Sequence, residues 1–161
     1  MPAAVNITYN GFIPKMKRGE QNNILRDSYT DLGDHFFENN LPRRFTAQGG
    51  RMLGYAQRSP RYRKRKQRLF GHNLPLVFSG KTRSRALSSL TRIIARAKKG
   101  EGSLELRVNV PALNLRNGSG PNLREEFERI AETETGPLER VLEASATKRF
   151  NDYSASETFK A

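Results

Sequence analysis

The chain of 161 residues has no cysteine, no tryptophan, and no Asp or Glu anywhere between Glu38 and Glu101. Without cysteine there are no disulfides and no thiolate metal sites. The two histidines, His35 and His72, lack a His-x-x-x-His spacing and offer no metal constellation. No window approaches the roughly 18 apolar residues of a membrane span, and the opening residues carry no apolar run of a signal peptide or anchor, so no membrane association is expected. Apolar residues make up only 35% of the chain and mean hydropathy is −0.75, which predicts exposed arms or long loops around one modest core.

The missing acids matter most. Seventeen of the 29 Lys and Arg fall between Glu38 and Glu101, giving that window +17 and the remainder −4. An ordinary solvated face mixes signs, so this segregation calls for a polyanionic neighbour: nucleic acid, an acidic lipid surface or an acidic protein. The belt is densest from Arg58 to Arg85. Arg58, Arg61, Arg63, Lys64, Arg65, Lys66 and Arg68 are interleaved with Tyr62 and Phe70. An apolar run, Leu74-Pro75-Leu76-Val77-Phe78, follows, and Ser79-Gly80-Lys81-Thr82-Arg83 closes the segment. These seven cations, with Lys81 and Arg83, are the candidate partner-facing or DNA-facing residues. Arginine forks suit phosphate, while Tyr62 and Phe70 either stack on bases or anchor the segment. Nothing resembles a recognition helix or a zinc finger, so contact would be to the backbone of a nucleic acid rather than to its bases.

Periodicity predicts an α+β fold. Val5, Ile7 and Tyr9 alternate with polar residues as in a strand. Leu25, Tyr29, Leu32 and Phe36 form the stripe of a helix over about 20–38, which Asn39-Asn40-Leu41-Pro42 should stop. Residues 43–60 read as irregular, and with the cations that follow they form a long basic loop over about 43–72. Within it Pro60 stands at the N1 of a short helix over 61–70. A second short helix is expected over 80–89. Thr91 to Ala97 and Leu104 to Val110 alternate around a Lys99-Gly100-Glu101-Gly102 turn, which predicts an antiparallel hairpin. A helix over 86–99 competes, since Leu87, Leu90, Ile94 and Ala97 also fit a period of 3.6. After a loop over 114–121, Leu123, Phe127 and Ile130 predict a helix. Leu138, Val141, Leu142 and Ser145 predict another over 137–149, beyond the Gly136-Pro137 break. Thus a single domain over 1–150 is expected, with a long N-terminal helix on a small antiparallel sheet, short C-terminal helices, and a flexible tail over 151–161.

Catalytic chemistry finds little support. Gly80-Lys81-Thr82 matches the end of a phosphate loop, but the glycine that loop requires five residues earlier is Pro75, which has no N–H. Asp27, Asp31, Asp34 and Glu38 lie along one helix with the spacing of a solvated face rather than clustered as metal ligands. No enzyme and no cofactor are expected.

The order of features over about 130 residues resembles the tail completion, or neck, proteins of tailed bacteriophages. The carriers are Phe45-Thr46-x-x-Gly49, Tyr55, Tyr62 and Lys66, then Pro75-Leu76-Val77-Phe78-Ser79-Gly80-Lys81-Thr82-Arg83. The last of these is similar to that family's PLV.[ST]G..R turn between a basic loop and a short helix. The Tyr-Ala-x-x-x-x-Phe-Gly signature of many members is absent and the C-terminal segment is richer in Glu, so the place within neck or tail stays open. The resemblance implies a non-catalytic α+β virion protein, assembled in the host cytoplasm into a homo-oligomeric ring of six or twelve copies. It would meet portal or adaptor, other neck proteins or the tail tube, with DNA in the channel. The alternative is a stand-alone basic nucleic-acid-binding protein.

Overall fold

The structure, a computed structural model, describes residues 5–8, 16–77, 80–88, 91–108 and 122–158. It is α+β. In chain order come β1 (Val5–Thr8), α1 (Arg18–His35), a π turn (Phe36–Asn40), a 3-10 turn (Pro42–Phe45), α2 (Ala47–Met52), α3 (Pro60–Phe70), α4 (Lys81–Ala86), β2 (Arg92–Lys98), β3 (Glu101–Arg107), α5 (Leu123–Glu128) and α6 (Glu132–Thr158). The chain gathers into two compact units: 1–36 with 93–106 and 135–161, and 37–92 with 107–134.

In the first unit the sheet has the order β1-β3-β2, and β1 pairs antiparallel with β3, Val5 opposite Leu104 and Thr8 opposite Glu101. The predicted hairpin forms with a tighter turn than expected. Only Lys99 and Gly100 lie in it, with φ of 58° and 83°, and Glu101 and Gly102 already belong to β3. Two successive positive φ values match the right-handed twist of the strands, which a wider loop would splay. The competing helix over 86–99 does not form; α4 ends at Ala86.

Helix α1 buries Ile24, Ser28, Tyr29, Leu32 and Gly33, and it meets the sheet at Tyr29, against Gly102, and at Gly33, against Ile93 and Leu104. The Tyr29 ring presses on Gly102, where a Cβ would stand 1.9 Å from Cε2. Gly102 is therefore a requirement of helix-on-sheet packing, not part of the turn. Leu25 and Phe36 of the expected stripe are only half-buried. In α6, Leu138, Leu142 and Ala146 bury one stripe. Asp31 accepts hydrogen bonds from Ser145 Oγ at 2.5 Å and Arg149 Nη2 at 2.7 Å.

Two expected helix stops fail. Pro42 does not end the helical path; it opens the 3-10 turn, where its missing N–H is not needed. Pro137 lies inside α6, which starts earlier, at Glu132, and runs to Thr158. Residues 151–158 are therefore helical rather than a loose tail, and Tyr153 donates its hydroxyl to Glu20 Oε2 at 2.7 Å. Tyr9, the end of the expected second hairpin strand and the loop expected after it (109–121) lie outside the described residues, as do Phe78 and Ser79.

In the second unit Leu41, Phe45, Leu53, Val77, Ala86 and Phe127 form the core. The expected long loop over 43–72 is mostly helical. Thr46 caps α2 by accepting from Gly49 N–H at 3.0 Å. Gly49 and Gly50, within the stretch expected to be irregular, sit inside that helix because neighbours approach them closely. A Cβ on Gly49 would lie 1.8 Å from the Arg43 carbonyl oxygen, and one on Gly50 2.9 Å from Pro75 Cγ. Short-range glycine statistics point to a loop here, but packing selects the same residues for a helix.

Candidate polyanion-binding face

The basic segment rests on a buried ionic frame. Arg44, 1% exposed, places every one of its five N–H donors: Nε on the Phe127 carbonyl, Nη1 on the Asn40 carbonyl and Glu134 Oε1, Nη2 on the Arg129 carbonyl and Glu134 Oε2. Glu134 in turn accepts from Asn40 Nδ2 at 3.0 Å and from Ala131 N–H at 3.2 Å. Burial alone would raise its pKa, but these partners, Arg44 first, hold the carboxyl below its usual value. Removed from water, such a pair is tolerated only because both members are fully hydrogen-bonded.

A second ion pair fixes the approach to α3. Glu126, buried in α5, accepts from Ala56 N–H at 2.8 Å and from both terminal nitrogens of Arg58. Arg129 Nη1 donates to the Leu53 and Gly54 carbonyls at 3.1 Å. The segment before α3 is thus clamped by side chains from the far end of the sequence. Among the described residues the Tyr55 hydroxyl is buried with no hydrogen-bond partner, and that burial drives its pKa up.

Helix α3 forms for local reasons. Ser59 Oγ accepts from Tyr62 N–H at 3.3 Å, Pro60 occupies N1, and Gly71, with φ of 70°, closes the helix. One side is seated on the protein. Lys66 is 3% exposed and donates from Nζ to the Leu74 carbonyl, with that nitrogen 5.6 Å from the Tyr62 ring centroid. Burial, aided by repulsion from Arg58, lowers the Lys66 pKa to about 8. The opposite side carries Arg61, Lys64, Arg65 and Arg68 at i, i+3, i+4 and i+7, all exposed. They make one cationic stripe about 10 Å long. Arg63 is exposed beside it. Among the described residues none of these five cations has an acidic partner within salt-bridge distance.

The nine cations singled out in the sequence therefore separate by role. Arg61, Arg63, Lys64, Arg65 and Arg68 face outward on α3. Lys81 and Arg83 are exposed on the separate short helix α4. Two turn inward, which corrects the expectation that they face a partner. Lys66 lies on the seated side because it is four residues from Tyr62, and Arg58 is held by the buried Glu126 carboxylate. Sequence reasoning missed Arg44, Glu126 and Glu134 altogether. Arg44 looks like any other belt arginine, and the pairing spans 90 positions. The one local signal was Glu126 standing beside the apolar Phe127 of the expected C-terminal helix.

The residues carrying the phage resemblance have structural jobs in this same unit. Thr46 and Gly49 cap α2, Gly50 packs on Pro75 and Tyr55, Tyr62 and Lys66 seat α3, and Val77 is buried. Gly80, with φ of 82°, starts α4, and Leu76 adopts a positive φ of 53° in the Pro75-Leu76 turn. Among the described residues, no three of His, Asp and Glu are grouped as metal ligands, and no helix is long and apolar enough to cross a membrane. No family profile matches the chain, and neither the curated proteins nor the solved structures yield a match.

Proposed function

We propose that this chain is a structural protein of a tailed-phage virion, a tail completion or neck component that helps join head to tail. The observation that carries the reading is the convergence of the resemblance residues. Thr46, Gly49, Tyr55, Tyr62, Lys66, Pro75 and Val77 are scattered over some thirty positions, yet all are structural residues of the second unit: Thr46 and Gly49 cap α2, Tyr55 and Pro75 pack on Gly50, Tyr62 and Lys66 seat α3, and Val77 is buried. A motif made of seating residues suits a protein whose task is to present a rigid surface to neighbours, not to turn over a substrate. The charge division also supports assembly. Cyclic rings use heterologous contacts, in which one patch of a subunit meets a different patch of the next. The basic stripe of α3 and the acids on exposed faces of α1 and α6, such as Asp34 and Glu139, supply patches of opposite sign.

Mass photometry of the purified full chain tests this reading. A discrete species of six or twelve copies is the expected result. A chain that stays monomeric at micromolar concentration and binds RNA with nanomolar affinity at physiological salt would instead favour the second reading, a stand-alone nucleic-acid-binding protein. The exposed stripe is the observation in favour of that alternative.

A further inference from the structure

We infer that the stripe Arg61, Lys64, Arg65 and Arg68 binds the phosphate backbone of duplex DNA without regard to sequence. The inference deepens the virion reading by naming a partner for one face, but it stands on geometry that does not depend on that reading. Four exposed cations occupy one side of a helix whose other side is pinned through Tyr62 and Lys66. Ser59 and Gly71 fix its ends, and the Arg58–Glu126 pair holds the segment leading into it. The cations are thus presented on a rigid support, so little ordering is lost when an anion binds.

The composition of the face distinguishes phosphate from an acidic protein. Interfaces between proteins depend on buried aromatic or aliphatic anchors, and isolated surface ion pairs contribute little. The stripe contains no apolar residue. The exposed apolar residues of α3, Leu69 and Phe70, stand at its final turn, and Phe70 stacks on His72. Phosphate contact needs only cations, because its free energy comes largely from released counterions. Three of the four are arginine, whose fork matches two phosphate oxygens. Arginine and lysine can also reach guanine edges, but here these four side chains are committed to phosphates alone, and no sequence preference is expected.

The test is fluorescence anisotropy of the full chain with a labelled random-sequence duplex of about 30 base pairs, titrated at several salt concentrations. The comparison is a quadruple variant, Arg61→Gln, Lys64→Gln, Arg65→Gln and Arg68→Gln. A control with equal charge loss elsewhere carries Arg18→Gln, Lys98→Gln, Arg140→Gln and Lys148→Gln, all exposed positions. Four phosphate contacts imply a salt slope of about −3.6, so affinity should fall about a hundredfold between 50 and 200 mM salt. The stripe variant should lose that dependence and bind at least a hundredfold more weakly at low salt, while the control keeps the wild-type slope. Circular dichroism of both variants shows whether they fold. Should the stripe variant unfold, the single charge reversals Arg61→Glu and Arg68→Glu take its place. Equal losses in stripe variant and control would overturn the proposal, as would no duplex binding at 50 mM salt. Stripe-dependent binding of polyglutamate in place of the duplex would also overturn it and assign the face to an acidic protein. Ring formation by mass photometry reads the virion proposal separately, since a ring that ignores DNA sinks only the present inference.

Discussion

Lys66 gives the sharpest test of how α3 is seated, because its ammonium is buried against a carbonyl and, among the described residues, no carboxylate lies within salt-bridge distance. Its pKa falls from 10.5 in the open chain to about 8 in the folded protein. Below pH 8 both states are protonated, and the folded state carries the whole cost of burying the charge, about 3 kcal/mol. Between pH 8 and 10.5 the unfolded chain holds more protons than the folded one, so stability rises with pH; above 10.5 the cost is gone. From pH 7 to pH 9.5 the gain from this one group is about 2 kcal/mol. Urea unfolding at those two pH values reads it as a midpoint rise of about 1 M, for an m-value typical of a small protein. The variant Lys66→Met removes the titrating group while keeping an unbranched apolar side chain of similar length. At pH 7 it loses both the cost of the charge and the bond to Leu74, so its stability should stay near wild type. Its midpoint should not show the extra rise. A wild type and variant that gain equally between pH 7 and 9.5 would refute the seating, because the rise would then come only from relief of the net charge.

Other consequences concern the frame and the sheet. Arg44→Met should cost about 3–5 kcal/mol in urea unfolding, because it strands the buried Glu134 carboxylate and three carbonyls. Arg44→Lys should recover only part of that, since three ammonium donors cannot replace five. The depressed pKa of Glu134 means its contribution is present above about pH 4.5 and lost as pH falls through the folded value. The urea-unfolding midpoint of Glu134→Gln should accordingly fall less than that of wild type as pH is lowered below about 4.5. Gly102→Ala drives a methyl into the Tyr29 ring and should cost about 1–3 kcal/mol by thermal unfolding, and a wild-type melting temperature would contradict the packing of α1 on β3.

What could be read in the sequence was local. Pro60 at N1 is short-range chemistry, and the helix formed where it predicted one; the Ser59 and Gly71 caps that close it are equally local. Alternation around Lys99-Gly100 disclosed the hairpin for the same reason. Long-range packing was not legible, and it decided the rest. Gly49-Gly50 marks a loop in isolation but is required in a helix beneath Arg43 and Pro75. Pro137 marks a stop in isolation, yet a buried stripe through Leu138 and Leu142 continues the helix beyond it. The belt was visible as charge but not as roles. Seventeen cations look alike until Arg44 finds Glu134, Arg58 finds Glu126, and Lys66 turns inward, leaving the stripe on α3.

Quantitative mass spectrometry of density-purified virions is the decisive measurement for the proposed virion role. The chain should be found in intact particles at six or twelve copies each, scaled to the portal. Its absence from particles, with the chain recovered instead on nucleic acid in the infected-cell lysate, would contradict that role.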